Sequence, residues 1–220
     1  MKVKIIIIAF IAIFASCGKN KEANIKYNPE TQLYPKTGIY LVINDSSELV
    51  WVGKELSTKS HIGTINLKNG IIEVKNNNEI SGEIKIDMTT INVTDLQGRA
   101  KKSLEGHLNN EDFFNVQKYP ESLFVFKSEP KSNQSSNKIR FEGILTIKGI
   151  SNPLSFDAII QEISPLLKAN ASLSFDRSKY NVRYRSGTFF DDLGDKLILD
   201  YIDINMSLVL KNKQNKFSQK

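Results

Sequence analysis

Between Ile80 and Met88 the chain alternates by side-chain type: Ile80, Ile84, Ile86 and Met88 share one face, and Glu83, Lys85 and Asp87 share the other. A period of two is the signature of a half-buried strand. It returns over Lys138–Lys148, where Phe141, Gly143, Leu145 and Ile147 fall together, and over Ala169–Phe175, with Ala171, Leu173 and Phe175 in phase. It closes the chain over Lys196–Leu210, where Ile202, Ile204, Met206 and Leu208 share a face. Strands of this kind wet one face and must cover the other, so the chain has to wrap a sheet around its own apolar side.

The remaining strands read less regularly. Ile39–Ile43 is one, and Glu48–Glu55 is the next, with Leu49 and Trp51 in phase. His61–Leu67 leads to a turn expected at Lys68-Asn69-Gly70 and a return through Ile71, Ile72 and Val74. A strand resumes at Ser122 with Phe124 and Phe126 on one face; a turn expected at Gly149–Pro153 leads to another carrying Leu154, Phe156 and Ala158. Eight or nine strands joined mostly by short turns, without internal repeats, predict an all-β up-and-down antiparallel barrel. A barrel of about eight strands has an interior that holds side chains or one small ligand.

One segment breaks the pattern. Asp95–Leu108 places Leu96, Leu104 and Leu108 at helical spacings, and Asn109 or Asn110 is expected to cap a second short helix running through Phe113, with Asp112 at its N-terminus. Phe113 and Phe114 follow at once. An apolar helical insert between two strands closes a barrel mouth, which implies a dry interior.

The first residues set a compartment. Lys2 and Lys4 precede an apolar run, Ile5–Phe14, that is short for a membrane span and typical of a signal-peptide core. Ala15-Ser16-Cys17 then resembles a bacterial lipobox, in which Cys17 becomes an acylated N-terminus. The expected division is a signal peptide over 1–16, a lipidated cysteine and polar tether over 17–37, a barrel over 38–210 and a basic tail over 211–220. Removing 16 of the 220 residues leaves 204, enough for one domain with a sizeable core, and losing two lysines lowers the formal charge from +6 to +4. Lys and Arg are scattered without an aromatic-interleaved stripe, so nucleic acid is not an expected partner. Cys17 is the only cysteine, which excludes an intrachain disulfide and a multi-cysteine metal site.

The polar residues give no catalytic or metal pattern. His61 and His107 are the only histidines and neither has a second ligand at metal spacing. Asp176-Arg177 reads as a local salt bridge fixing a turn, and Asp191, Asp192 and Asp195 lack the spacing of a calcium loop. Neither a catalytic residue nor a cofactor is expected.

Several segments together resemble the YceI-like, polyisoprenoid-binding family. They are S-x-L-x-W at Ser47–Trp51, L-x-x-H-L-x-x-x-D-F-F-x-V-x-K-Y-P at Leu104–Pro120, G-x-L-T-I-K-G-x-x-x-P-L at Gly143–Leu154, and F-D-R-S-K-Y at Phe175–Tyr180. They run in order over nearly the whole mature chain. The family often has phenylalanine where this chain has Trp51, and an Arg-Asp pair where it has Arg99-Ala100. The Ser186–Lys196 loop looks like a variant found in lipoprotein members from Bacteroidetes-type bacteria.

The resemblance implies a lipocalin-like barrel holding an isoprenoid lipid, such as a quinone tail or polyprenyl chain, in an apolar tunnel. The expected lining is Leu49 and Trp51; Ile84, Ile86 and Met88; Phe113 and Phe114 from the insert; Phe124 and Phe126; Phe141, Leu145 and Ile147; Phe156; Phe175; and Ile202 and Ile204. The implied place is the bacterial cell envelope, lipid-anchored and facing the periplasm, with the outer membrane expected ahead of the inner. Homodimerisation stays open. A second reading keeps the barrel but fills its core, with residues 180–195 docking a partner protein. A third makes His107 the general base of an enzyme acting on the bound lipid.

Overall fold

The computed structural model describes residues 35–57, 59–128 and 138–213. Their elements are β1 (Gly38–Val42), β2 (Glu48–Lys54), β3 (Ser60–Val74), β4 (Ile80–Val93), α1 (Gly98–Asn109), β5 (Glu121–Ser128), β6 (Lys138–Ile147), β7 (Ile150–Ile163), β8 (Leu166–Asp176) and β9 (Tyr201–Asn212). The segments expected to hold the signal peptide, Cys17 and most of the tether lie outside the described residues.

Every pairing is antiparallel, and the strands form a closed barrel. Nine strands make eight staves because β1 and β2 share one: both lie between β3 and β9, end to end. Ser47 stitches the join, its Oγ donating to Ile43 O (2.8 Å) and accepting from Val209 N (2.9 Å). The expected alternation holds: Leu49, Ile84, Met88, Phe124, Phe126, Phe141, Leu145, Phe156, Phe175 and Ile202 are buried on the inner face. Below, "upper" denotes the end carrying α1 and residues 177–200, and "lower" the opposite end, where β1 begins and β9 finishes.

Two expected turns differ in the structure. β3 runs unbroken through Lys68-Asn69-Gly70, and its register against β4 shifts between Leu67 and Asn69. Lys68 and Asn69 are both exposed, so the inner face passes from Leu67 to Gly70. Turn-forming residues here build a bulge, which uses the same chemistry to bend a strand that a hairpin uses to end one. The turn expected over Gly149–Pro153 shrinks to Lys148-Gly149, with φ of 52° and 73°, the two-residue loop that needs positive φ at both positions. Pro153 therefore stands inside β7. It is tolerated because β7 pairs with β8 only over Ala158–Ile163, leaving residues 150–157 bonded on the β6 side alone. Asn152 Nδ2 ties the splayed end to Lys179 O at 3.0 Å.

The insert also differs from expectation. α1 forms, but Asn110 ends it, donating its N–H to His107 O (3.2 Å), and residues 111–118 continue as turns rather than a second helix. Asp112 thus follows a helix C-terminus, where its carbonyl accepts from Tyr184 N at 3.2 Å. The final strand starts at Tyr201, five residues later than expected, because residues 197–199 instead bond to the upper end of β2. No helix among the described residues is long and apolar enough to cross a membrane.

Candidate functional site

Two interior glycines help make room inside. A Cβ on Gly63 would overlap the Trp51 ring, and one on Gly143 would lie 2.7 Å from the Phe124 ring. Large rings on neighbouring staves therefore lie flat over glycine rather than reaching across the barrel. Trp51 is held there by its Nε1, which donates to Thr64 O at 3.2 Å.

The upper half of the interior is an apolar chamber of about 130 Å³. Its walls are Leu49, Trp51, Ile65, Ile84, Ile86, Met88, Ile91, Phe124, Leu145, Ile147, Leu154, Phe156, Leu173, Phe175, Ile202, Ile204 and Met206, with Leu108 and Phe114 from the insert. Ser122 is the one polar side chain without an apolar ring in that wall. The lower half narrows to about 40 Å³. Ile84, Phe124, Phe156 and Met206 face both spaces and form a waist between them.

The structure gathers most of the residues singled out from the sequence. Leu49, Trp51, Ile84, Ile86, Met88, Phe114, Phe124, Leu145, Ile147, Phe156, Phe175, Ile202 and Ile204 line the upper chamber. Phe126 and Phe141 line the lower space instead. With Phe124 and Phe156 they form a cluster of rings with centroids 5.2–6.0 Å apart. Phe113 lines neither space. It turns away from the chamber, meets Phe114 edge-on at 4.9 Å and packs under the Arg177 guanidinium at 5.3 Å. Residues the sequence reading left out of the lining include Leu154, Leu173, Met206 and Ser122. All four sit in phase with strand faces recognised from alternation, so parity alone would have found them.

The lid over the chamber is a polar clasp. Arg177 is fully buried and donates to Leu199 O (3.3 Å), Val182 O (3.2 Å), Tyr184 O (2.9 Å) and Ile198 O (3.0 Å). Its ionic partner is Asp200 at 3.2 Å, not the adjacent Asp176. Asp176 instead caps the following turn, accepting from Ser178 N and Oγ at 2.9 and 2.6 Å. Burial draws the Arg177 pKa down, and Asp200 and Asp176 oppose that shift. Burial also pushes the Tyr180 hydroxyl up to about 12. His107 is exposed and stacks on Tyr184 at 5.4 Å, joining α1 to the 181–200 loop. Lys148 reaches both sides of the clasp, donating to Glu111 O and Asn181 O, each at 3.0 Å.

Elsewhere, His61 Nδ1 lies 2.8 Å from Asp95 Oδ2 on the outer surface. Burial raises the Asp95 pKa, but hydrogen bonds from His61 and the Ile62 N–H outweigh it and leave the net shift downward. Among the described residues no three His, Cys, Asp or Glu side chains group as metal ligands.

Comparison with known proteins gives one family model, the YceI-like domain, matching residues 40–210. No curated protein sequence matches. Among solved structures, the chain is similar to Burkholderia cenocepacia BcnA, with a TM-score of 0.61 and 21% identity over 76% of this chain and 98% of that one. It is also similar to a polyisoprenoid binding domain from Saccharophagus degradans implicated in plant cell wall breakdown. That match has a TM-score of 0.55 and 12% identity over 80% of this chain and 99% of that one. At these identities the two structures speak to the fold.

Proposed function

The chain belongs to the YceI-like domain family, and on that premise we propose that it is a binding protein that holds a long isoprenoid chain, such as a quinone tail or polyprenyl lipid, inside the barrel. The observation that carries this reading is the upper chamber: an interior space walled almost wholly by apolar side chains, with only one unpaired polar side chain among them. Each methylene moved from water into such a space contributes about 0.8 kcal/mol, so a few five-carbon units supply tight binding without charged contacts. The Saccharophagus degradans domain is named for polyisoprenoid binding, which supports the same ligand class here.

The reading extends to the cell envelope, with Cys17 acylated and the barrel carried on a short tether facing the periplasm. It is a carrier rather than a catalyst: His107, the one general base the sequence offered near the mouth, is stacked on Tyr184 and lines no part of the chamber. The filled-core scaffold fits less well, because the chamber is open and Tyr184 of its docking loop is engaged by the insert.

Trp51 tests the proposal, since it is the only tryptophan and stands in the chamber wall. Delipidated protein titrated with a long-chain isoprenoid quinone is expected to show saturable quenching, at lower concentration than with a short-chain quinone bearing the same head. Identical titrations for the two chain lengths would place binding outside the barrel, and no saturable change with any lipid would favour the filled core.

A further inference from the structure

Ser122 opens the inner face of β5, 4% exposed, in register with Ile86 of β4. Its Oγ is buried, lines the upper chamber and has no hydrogen-bond partner among the described residues. The other inward serine of β5 behaves differently: Ser128 Oγ accepts the Ile80 N–H at 3.0 Å and completes the ladder at the lower end. One serine is structural and the other is left bare in an apolar room.

A buried hydroxyl without a partner destabilises the protein that carries it, and alanine in its place would not. A water molecule does not resolve this, because it would find one polar side chain where buried waters typically make about three hydrogen bonds. Trp51 offers no second donor, its Nε1 being committed to Thr64 O. No Lys, Arg or His lines the chamber, so a phosphate brought inside would lack any compensating charge.

We infer that Ser122 Oγ is the contact point for a neutral carbonyl or hydroxyl of the ligand, so that an uncharged polar head enters the chamber. This rests on the carrier reading and narrows it. Within the isoprenoid class it selects quinones and free prenols over phosphorylated polyprenyl chains. The head lies in the upper chamber, under Leu108 and Phe114 of the insert, rather than in solvent at the mouth.

The test uses the full chain as wild type, Ser122→Ala, Ser122→Thr and Ser128→Ala. Dissociation constants are read by displacement of a fluorescent apolar probe. The ligands are an isoprenoid quinone, a terpenoid hydrocarbon with the same number of units and no head, and a polyprenyl phosphate of that length. Ser122→Ala is expected to weaken the quinone about tenfold, which corresponds to about 1.4 kcal/mol. It should leave the hydrocarbon within about twofold, on the argument that no head group is lost, and the empty protein should melt no lower than wild type. Ser122→Thr keeps the hydroxyl and should keep the preference. Ser128→Ala should lower the melting temperature without separating the two ligands. Equal effects of Ser122→Ala on quinone and hydrocarbon overturn the inference, as does a wild type that takes the phosphate as tightly as the quinone. A wild type that releases the probe to none of the three overturns the carrier reading itself, a result distinguishable from all of these.

Discussion

The two ends of the barrel are sealed by opposite means. At the lower end the space is taken up by side chains: Tyr40, Phe126, Phe141 and Leu210 fill the interior to a remnant, and the staves close on one another. At the upper end the side chains stand back along the walls, and closure comes from outside, through backbone carbonyls gathered on one buried guanidinium. A plug contributes its apolar contacts to stability at the cost of room. A clasp keeps the room and concentrates stability in a few polar bonds, where loss of one group exposes many others.

The largest expected effect comes from breaking the clasp. Arg177→Ala leaves Asp200 without its ionic partner and four carbonyls without their donor, and should cost about 3–5 kcal/mol in denaturant unfolding, the usual loss when one member of a buried ion pair is removed. Hydrogen exchange should rise first over 177–200 and the insert, and the lower staves should keep their protection. A uniform rise would show that the two ends do not behave separately.

Pulling the plug is next. Phe141→Ala removes a ring packed against Phe126 and Phe156 and should cost about 3–4 kcal/mol. Leu145→Ala, in the same strand but on the chamber wall, should cost about 2 kcal/mol, the low end of such changes, because its inner side already faces space. Equal losses at the two positions would mean that the upper chamber collapses around side chains in solution.

The adjacent phenylalanines sharpen the comparison at the lid. Phe114→Ala should weaken quinone binding several-fold with little change in melting. Phe113→Ala should do the reverse, since it supports Arg177 and touches no part of the chamber. Swapped phenotypes would show that the insert rearranges when ligand enters.

The remaining effect is set by pH. The Tyr180 hydroxyl titrates at about 12 in the folded chain, pushed up by burial and then by Asp176, against about 10 when unfolded. The unfolded chain loses this proton first, so the stability it represents is complete below pH 10 and is lost as pH rises towards 12. The drop should be on the order of 2 kcal/mol across that window. Tyr180→Phe should remove this part of the slope, and an unchanged alkaline profile would mean that the upper end opens before the hydroxyl ionises.

Much of this was legible in the chain. Alternation marked the inner faces, and parity placed nearly every wall residue, because a strand's period of two fixes the side of a residue without knowledge of its neighbours. What misled were residues with two uses. Lys68-Asn69-Gly70 bends a strand with the chemistry that ends one, and Pro153 suits a strand only where the next stave has moved away. Neither condition is local. Arg177 was hidden for a related reason: its natural partner by sequence is Asp176, and its partner in space, Asp200, is brought back by a loop whose path has no periodicity. Phe113 and Phe114 are indistinguishable as letters, and only the turn geometry after α1 sends one inward and the other to Arg177.

The shared stave has a consequence for how the molecule comes into being. β1 and β2 are bonded on one side by β9, so Ser47 meets Val209 across 162 residues of chain. Contacts at that separation are slow to form, because the loop entropy is lost before the bonds are made. Until β9 arrives, β8 and the first stave are two free edges of an open sheet whose apolar face is uncovered, a template for pairing with other chains. The interior is therefore not built up strand by strand as the chain emerges. It comes into existence in one late step, and a chain cut before Tyr201 has every stave but one and no inside.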